Sequence, residues 1–235
     1  MFFRLLILSI ILSACSHSFD TSTSQGLLKK AQYLSKSGQY IEARKELENI
    51  INSTAPYSAK ASAQWELAEI SFKKEEFAQA ELEYNQGLQI FSKSPLVKQF
   101  QYKKALSLYR QLPEKYQRDL SNAPRAILQF QNFIISYPKN PLAKDAKKYI
   151  AKIQSLLFKK ALYVANFYFE QKKFKAASKR FQKISRAHSS APLLFKATLS
   201  TYKAGYDNWT YYYKKLRRRF PKSSEVGRLK TLLNL

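Results

Sequence analysis

An all-α fold is predicted, a superhelix of about five helical hairpins in two lobes joined by a long helix. Three observations carry that prediction. Apolar residues recur at intervals of three and four, no strand-like alternation of any length follows residue 24, and alanines come in pairs at a fixed distance. Leu27, Leu28, Ala31 and Leu34 mark the first periodic stretch; Ile41, Leu47 and Ile50, with polar Arg44 among them, mark the second. Glycine is scarce, five in all, and prolines fall between the periodic stretches, as helices joined by short turns require.

The hairpins follow from the alanines. Ala31 and Ala43 are 12 apart, as are Ala68 and Ala80, and Ala165 and Ala177. Tyr40, Phe77 and Phe174 each come nine residues after the first alanine of a pair, and Leu47, Tyr84 and Phe181 come four after the second. Small residues let two antiparallel helices approach, while the aromatic at the start of the second helix wedges against the next pair. The spacing resembles the tetratricopeptide repeat. In a third unit Ala105 pairs with Ala126 across an insertion within Gln111–Ser121, and Phe130, Phe133 and Pro138 close it. A fifth unit begins at Ala197 and Tyr206, with Trp209 where a small residue is usual, then Tyr213, Leu216 and Pro221. From Leu142 to about Gln171 there is no Pro or Gly, and helical periodicity is continuous. One helix of about 45 Å is expected there, joining the third unit to the fourth. The expected lobes are residues 24–138 and 139–235.

The amino end reads as a leader. Arg4 precedes an apolar run, Leu5 to Leu12, too short to span a bilayer as a mature helix, and Leu12-Ser13-Ala14-Cys15 follows. This resembles the bacterial lipoprotein signal, which implies removal of residues 1–14 and acylation of Cys15. Cys15 is the only cysteine, so an acylated chain keeps no thiol for a disulfide, a metal or nucleophilic catalysis. The alternative is a cleaved signal with an incidental cysteine. Residues 15–23 form the expected tether; an Asp at position 16 would resemble an inner-membrane retention signal, so Ser16 implies the outer membrane by the same resemblance.

Charge is unevenly placed. Residues 1–83 hold 9 Lys/Arg and 10 Asp/Glu, whereas residues 84–235 hold 32 and 6. A basic, aromatic-rich chain usually suggests nucleic acid; an exported protein rarely meets it, so no nucleic-acid partner is expected. Anionic phospholipid at the inner leaflet of the outer membrane, peptidoglycan carboxylates or an acidic protein face remain. Catalysis is not expected. His17 lies in the tether and His188 in a turn, neither with companions for a metal site, and the isolated glycines form no phosphate loop. No cofactor is expected beyond the lipid on Cys15.

Between Arg118 and Ile184 the likeness becomes specific. Arg118-Asp119 in the insertion, Tyr137-Pro138, Asn140, Leu142-Ala143, Asp145-Ala146, Leu162 to Ala165, Phe167 to Phe169, Ala176-Ala177 and Arg180 appear in an order that resembles the BamD family of β-barrel assembly lipoproteins. Ala161, Asn166 and Lys172 depart from the family pattern, which often has Glu, Arg and Gly there. The resemblance implies a non-catalytic scaffold. Its carboxyl-terminal lobe would hold the POTRA region of a BamA-like barrel protein, its amino-terminal lobe would engage unfolded outer-membrane proteins, and other lipoproteins of the complex would join it. Arg180, Tyr163, Asn166, Arg118 and Asp119 are the partner-binding candidates, and Gln64 and Trp65 the substrate-groove candidates. Arg180 can equally be solvated or paired within the fold, and Trp65 can equally lie in the core. Tyr163, Phe167, Tyr168 and Phe169 are expected mainly as core, and at least one of Tyr211, Tyr212 and Tyr213 should be exposed. Two other functions fit the sequence: a tetratricopeptide pilotin in secretin assembly, and a cationic cell-wall-binding lipoprotein.

Overall fold

The computed structural model describes residues 18–235. The leader 1–14, the acylation candidate Cys15 and His17 lie outside the described residues. Eleven helices and no strand are present among the described residues: α1 (Ser24–Lys36), α2 (Tyr40–Asn52), α3 (Tyr57–Lys73), α4 (Phe77–Ile90), α5 (Val97–Arg110), α6 (Ala123–Ser136), α7 (Leu142–Glu170), α8 (Phe174–Ala187), α9 (Ala191–Lys203), α10 (Trp209–Arg219) and α11 (Ser224–Leu233). The fold is all-α, a succession of tetratricopeptide-type hairpins. The chain divides into two compact units at Phe100/Gln101, inside α5. The repeat spacing instead places a lobe boundary at 138/139.

In the first unit, α1 packs on α2, α2 on α3, and α3 on α4. Thr23 starts α1 by accepting from the Gly26 N–H at 3.1 Å, and Phe19 packs its ring 5.5 Å from Tyr33. The paired alanines Ala31, Ala43, Ala68 and Ala80 are all buried, with Leu47 and Ile50 on the same stripe. Ile41 is not on it: it is 82% exposed, because the buried face of α2 is centred on Ala43, Leu47 and Ile50. Arg44 reaches off that face to a buried carboxylate. Glu83, 1% exposed, accepts from Arg44 Nη2 at 2.8 Å, Gln79 Nε2 at 2.8 Å and Ser71 Oγ at 2.6 Å. Arg44 Nη1 also donates to Ser71 Oγ at 3.0 Å, so one charged network ties α2, α3 and α4. Trp65, Tyr84 and Phe100 form an aromatic cluster beside it, and Gly87 makes room: a Cβ there would lie 2.4 Å from the Phe100 ring.

The second unit has two cores that share α7. The first holds Tyr102, Ala105, Leu108, Leu120, Ala126, Phe130, Phe133 and Ile153; the second holds Ala165, Ala177, Phe181, Leu194, Ala197, Leu216 and Leu229. The expected long helix is one unbroken 29-residue element, and it joins the third hairpin to the fourth within this unit. Tyr168 and Phe169 pack against the second core, but Tyr163 and Phe167 are about half exposed, contrary to the core expectation. Successive helical residues turn away from a single buried face, and Ala165 occupies it here. Of the three consecutive tyrosines, Tyr211 is the exposed one.

Four hairpin turns share one geometry. Gly38, Glu75, Lys172 and Gly205 all have φ between 55° and 81°, and the residue after each returns a hydrogen bond to a carbonyl in the last turn of the preceding helix. Two of these left-handed positions therefore carry side chains that the conformation disfavours.

Candidate partner-binding site

The carboxyl half of α7 and the facing side of α8 enclose an open cavity of about 670 Å³. Leu157, Phe158, Val164 and Ile184 supply apolar wall, and Lys160, Arg180 and Lys183 supply positive charge with no carboxylate among the lining residues. Arg180 is fixed from two sides. Its guanidinium lies over the Tyr168 ring at 4.1 Å, and Nη1 donates to the Ala176 carbonyl at 3.2 Å. Stacking holds the plane while leaving its outer edge available, the geometry for bidentate pairing with a carboxylate. His188 packs its ring 4.2 Å from Phe158 at the other end of the cavity.

The insertion between α5 and α6 docks beside this cavity. Leu120 is buried in the first core, Tyr116 meets Tyr163 edge to face at 5.9 Å, and Lys160 Nζ donates to the Arg118 carbonyl at 2.7 Å. Asp119 accepts from the Ser121 hydroxyl at 2.6 Å and the Ser121 N–H at 3.1 Å, and these bonds hold its carboxyl below the usual carboxylate range. Lys160 thus lines the cavity with Arg180 and holds the insertion at Arg118, next to Asp119, while Tyr163 meets the insertion through Tyr116. Asn166 is engaged elsewhere: its Oδ1 accepts from Lys196 Nζ at 2.6 Å, joining α7 to α9.

Sequence reasoning missed Lys160, Lys183, Tyr116 and the cavity itself. Lys160 sits in a run of lysines that reads as a solvated face, and only the long-range bond to Arg118 distinguishes it. The spacing of Leu157, Ala161 and Val164 was a legible signal, since residues three and four apart on a helix form one strip. Gln64 and Trp65 are used inside the first unit. Gln64 is 4% exposed and donates to the Glu83 carbonyl at 2.9 Å, while Trp65 packs its ring against Tyr84 at 5.6 Å and Phe100 at 5.5 Å.

Among the described residues no group of His, Cys, Asp or Glu could hold a metal ion, and no helix is long and apolar enough to cross a membrane. The profile of a family described as YfiO, outer membrane lipoprotein, matches residues 20–211. The chain belongs to the YfiO family. That match takes in every element from α1 to α9, and with them the α7–α8 cavity and the docked insertion. One relative is the outer membrane protein assembly factor BamD of Buchnera aphidicola subsp. Acyrthosiphon pisum (strain APS), 31% identical over 91 residues. Those residues are 39% of this chain and 37% of that protein, so the likeness spans well under half of the relative. Among solved structures, the TPR2AB domain of yeast Sti1 in complex with pHSP90 has a TM-score of 0.46 at 11% identity, covering 89% of this chain and 84% of that one. PilW, a type IV pilus biogenesis factor, has 0.41 at 16%, covering 88% and 97%. YrrB, a TPR protein with an unusual peptide-binding site, has 0.40 at 14%, covering 90% and 94%.

Proposed function

We propose that this chain is a lipid-anchored, non-catalytic scaffold of outer-membrane β-barrel assembly, held to the periplasmic face of the outer membrane through acylated Cys15. Its α7–α8 cavity receives a segment of the POTRA region of a BamA-like barrel protein. The observation that carries the reading is the cavity: an apolar trough rimmed by Lys160, Arg180 and Lys183, in a family of outer membrane lipoproteins. A partner segment with an apolar side chain and a carboxylate matches it. The apolar group enters between α7 and α8 while the carboxylate pairs with the stacked Arg180. The docked insertion widens the contact through Tyr163, Arg118 and Asp119. Other lipoproteins of the machinery and unfolded barrel proteins are further partners. Trp65, only partly buried on α3, is a group that an extended substrate can reach.

Co-purification from membranes tests this, with the full chain and two variants. Arg180→Glu reverses the pairing charge, and Ala161→Trp fills the mouth of the cavity from an exposed position. Truncating one partner of a desolvated charge pair costs about 2–5 kcal/mol, so Arg180→Glu should weaken the complex at least roughly 30-fold. Both variants should lose a POTRA-containing barrel protein while retaining full helicity. Undiminished recovery with both would refute the reading.

A further inference from the structure

Unit two carries cations that neither the fold nor the α7–α8 cavity uses. Residues 171–235 hold 17 Lys/Arg against 2 Asp/Glu. Many of these cations have structural work. Lys196 bonds Asn166, Lys215 Nζ donates to the Ser185 carbonyl at 2.8 Å, and Arg228 lies over the Phe195 ring at 4.5 Å. At the far end of the unit the pattern changes. Lys214, Arg217, Arg218 and Lys230 converge with Pro221 and Val226 around a concavity of about 430 Å³ that contains no carboxylate. Lys214, Arg218 and Lys230 are exposed, and none of their side chains makes a hydrogen bond or ion pair with a described residue. Arg217 is held over the Tyr213 ring at 5.7 Å, which leaves its guanidinium edge outward.

We propose that this face of α10 and α11 is a docking surface for the phosphate headgroups of anionic phospholipid. Three features favour a lipid surface. Tyr211, Lys214 and Arg218 stand at i, i+3 and i+7 on α10, so one exposed stripe presents a ring that is 59% exposed beside two free cations. An amphipathic tyrosine among lysines and arginines is the composition that settles at headgroup level. The concavity admits one phosphodiester, with its glycerol against Pro221 and Val226. A single exposed ring offers no array on which successive bases of a nucleic acid would stack. Helix dipoles account for a preference for cations in the last turn of α10 and of α11, but not for the meeting of both turns on one acid-free concavity. The proposal rests on the membrane location proposed above for where the surface is met. Its chemistry is independent of the barrel protein.

The test uses the chain from residue 15 onward as Cys15→Ser, so that neither the apolar leader nor an acyl group contributes, in co-sedimentation with phosphatidylcholine vesicles with and without phosphatidylglycerol. Lys214→Gln/Arg218→Gln/Lys230→Gln is compared with Lys139→Gln/Lys144→Gln/Lys147→Gln, exposed lysines of the same unit that lower net charge equally. At about 1 kcal/mol for each cation near an anionic surface, the first triple should lose roughly a hundredfold in binding to phosphatidylglycerol vesicles. The second should lose less than about threefold, since its lysines lie outside the concavity and forfeit only screened, longer-range attraction. Equal losses in the two triples, no loss in the first, equal binding to phosphatidylcholine alone, or a preference for an oligonucleotide over vesicles would each overturn the proposal. Because the assay contains no barrel protein, such a failure leaves the scaffold reading standing. Loss of that reading leaves this assay's outcome unchanged.

Discussion

Glu83 is where the first unit is most exposed to a single substitution. Its carboxylate is 1% exposed and accepts from Arg44, Ser71 and Gln79, three donors on three helices. Glu83→Ala removes all three bonds and leaves Arg44 with the Ser71 hydroxyl and a 3.9 Å approach to Glu48 in place of a direct carboxylate partner. Breaking a buried ion pair by deleting one partner costs about 3–5 kcal/mol. Arg44 keeps 27% of its side-chain surface, so water can reach part of the orphaned cation, and the expected cost sits at the lower end, about 3 kcal/mol. In a Ser71→Ala background, which leaves no buried hydroxyl without a partner, replacing both partners with apolar groups of similar size, Arg44→Met/Glu83→Met, should return stability to within about 1 kcal/mol of that background, because no unpaired charge is then left. Urea unfolding followed by tryptophan emission measures this. In a Trp209→Phe background the signal comes from Trp65, which packs against Tyr84 and Phe100 in the same unit. A loss below about 1 kcal/mol for Glu83→Ala, or a double variant as unstable as the single one, would show that the network is not what joins these helices.

Two further predictions concern backbone and pH. Gly205 has φ 74° with open space around its Cβ position, so Gly205→Ala should cost about 1 kcal/mol from the backbone alone; Lys172→Gly, at φ 55°, should gain about 0.5 kcal/mol. Thermal unfolding monitored at Trp209 reads both, and a neutral Gly205→Ala would contradict the argument. Burial raises the phenol of Tyr84, with further raising from the Glu69 carboxylate it donates to, and burial pushes Tyr102 up to about 12. A raised pKa means the folded state holds the proton more tightly. This contribution is complete below about pH 10 and is lost as pH climbs from there toward the folded values. Stability should fall by about 1.4 kcal/mol per pH unit for Tyr84 in that window and by less for Tyr102, whose desolvation is weaker, and Tyr84→Phe should flatten the decline seen at Trp65. An unchanged slope would mean that Tyr84 ionises as freely as an exposed phenol.

The repeat was legible because its determinants are local. Small residues at fixed spacing have no other explanation than close helix approach, and every paired alanine from Ala31 to Ala177 is buried. Arg44 was a clue of a different kind: a cation on an apolar period signals a buried partner, but nothing local says that the partner is Glu83, 39 residues on. The site was less readable for the same reason. Arg180 follows a family pattern, whereas the Tyr116–Tyr163 contact, the bond from Lys160 to Arg118 and the pairing of Asn166 with Lys196 depend on how hairpins meet. Gln64 shows the converse. A polar residue beside a tryptophan reads as groove, yet its amide satisfies a main-chain carbonyl inside the hairpin.

The unbroken α7 also imposes an order on folding. An exported chain emerges beyond the membrane from its amino end, and the first half of the helix then has its partners at hand, with Tyr149 stacked on Phe130 and Ile153 closing against α6. The second half emerges with Leu162, Tyr168 and Phe169 directed toward residues that do not yet exist, since their core is completed only by α8 to α11. The helix is thus nucleated at one end and extends, already wound, into an unfinished interior. Its later turns become the template on which the last four helices condense.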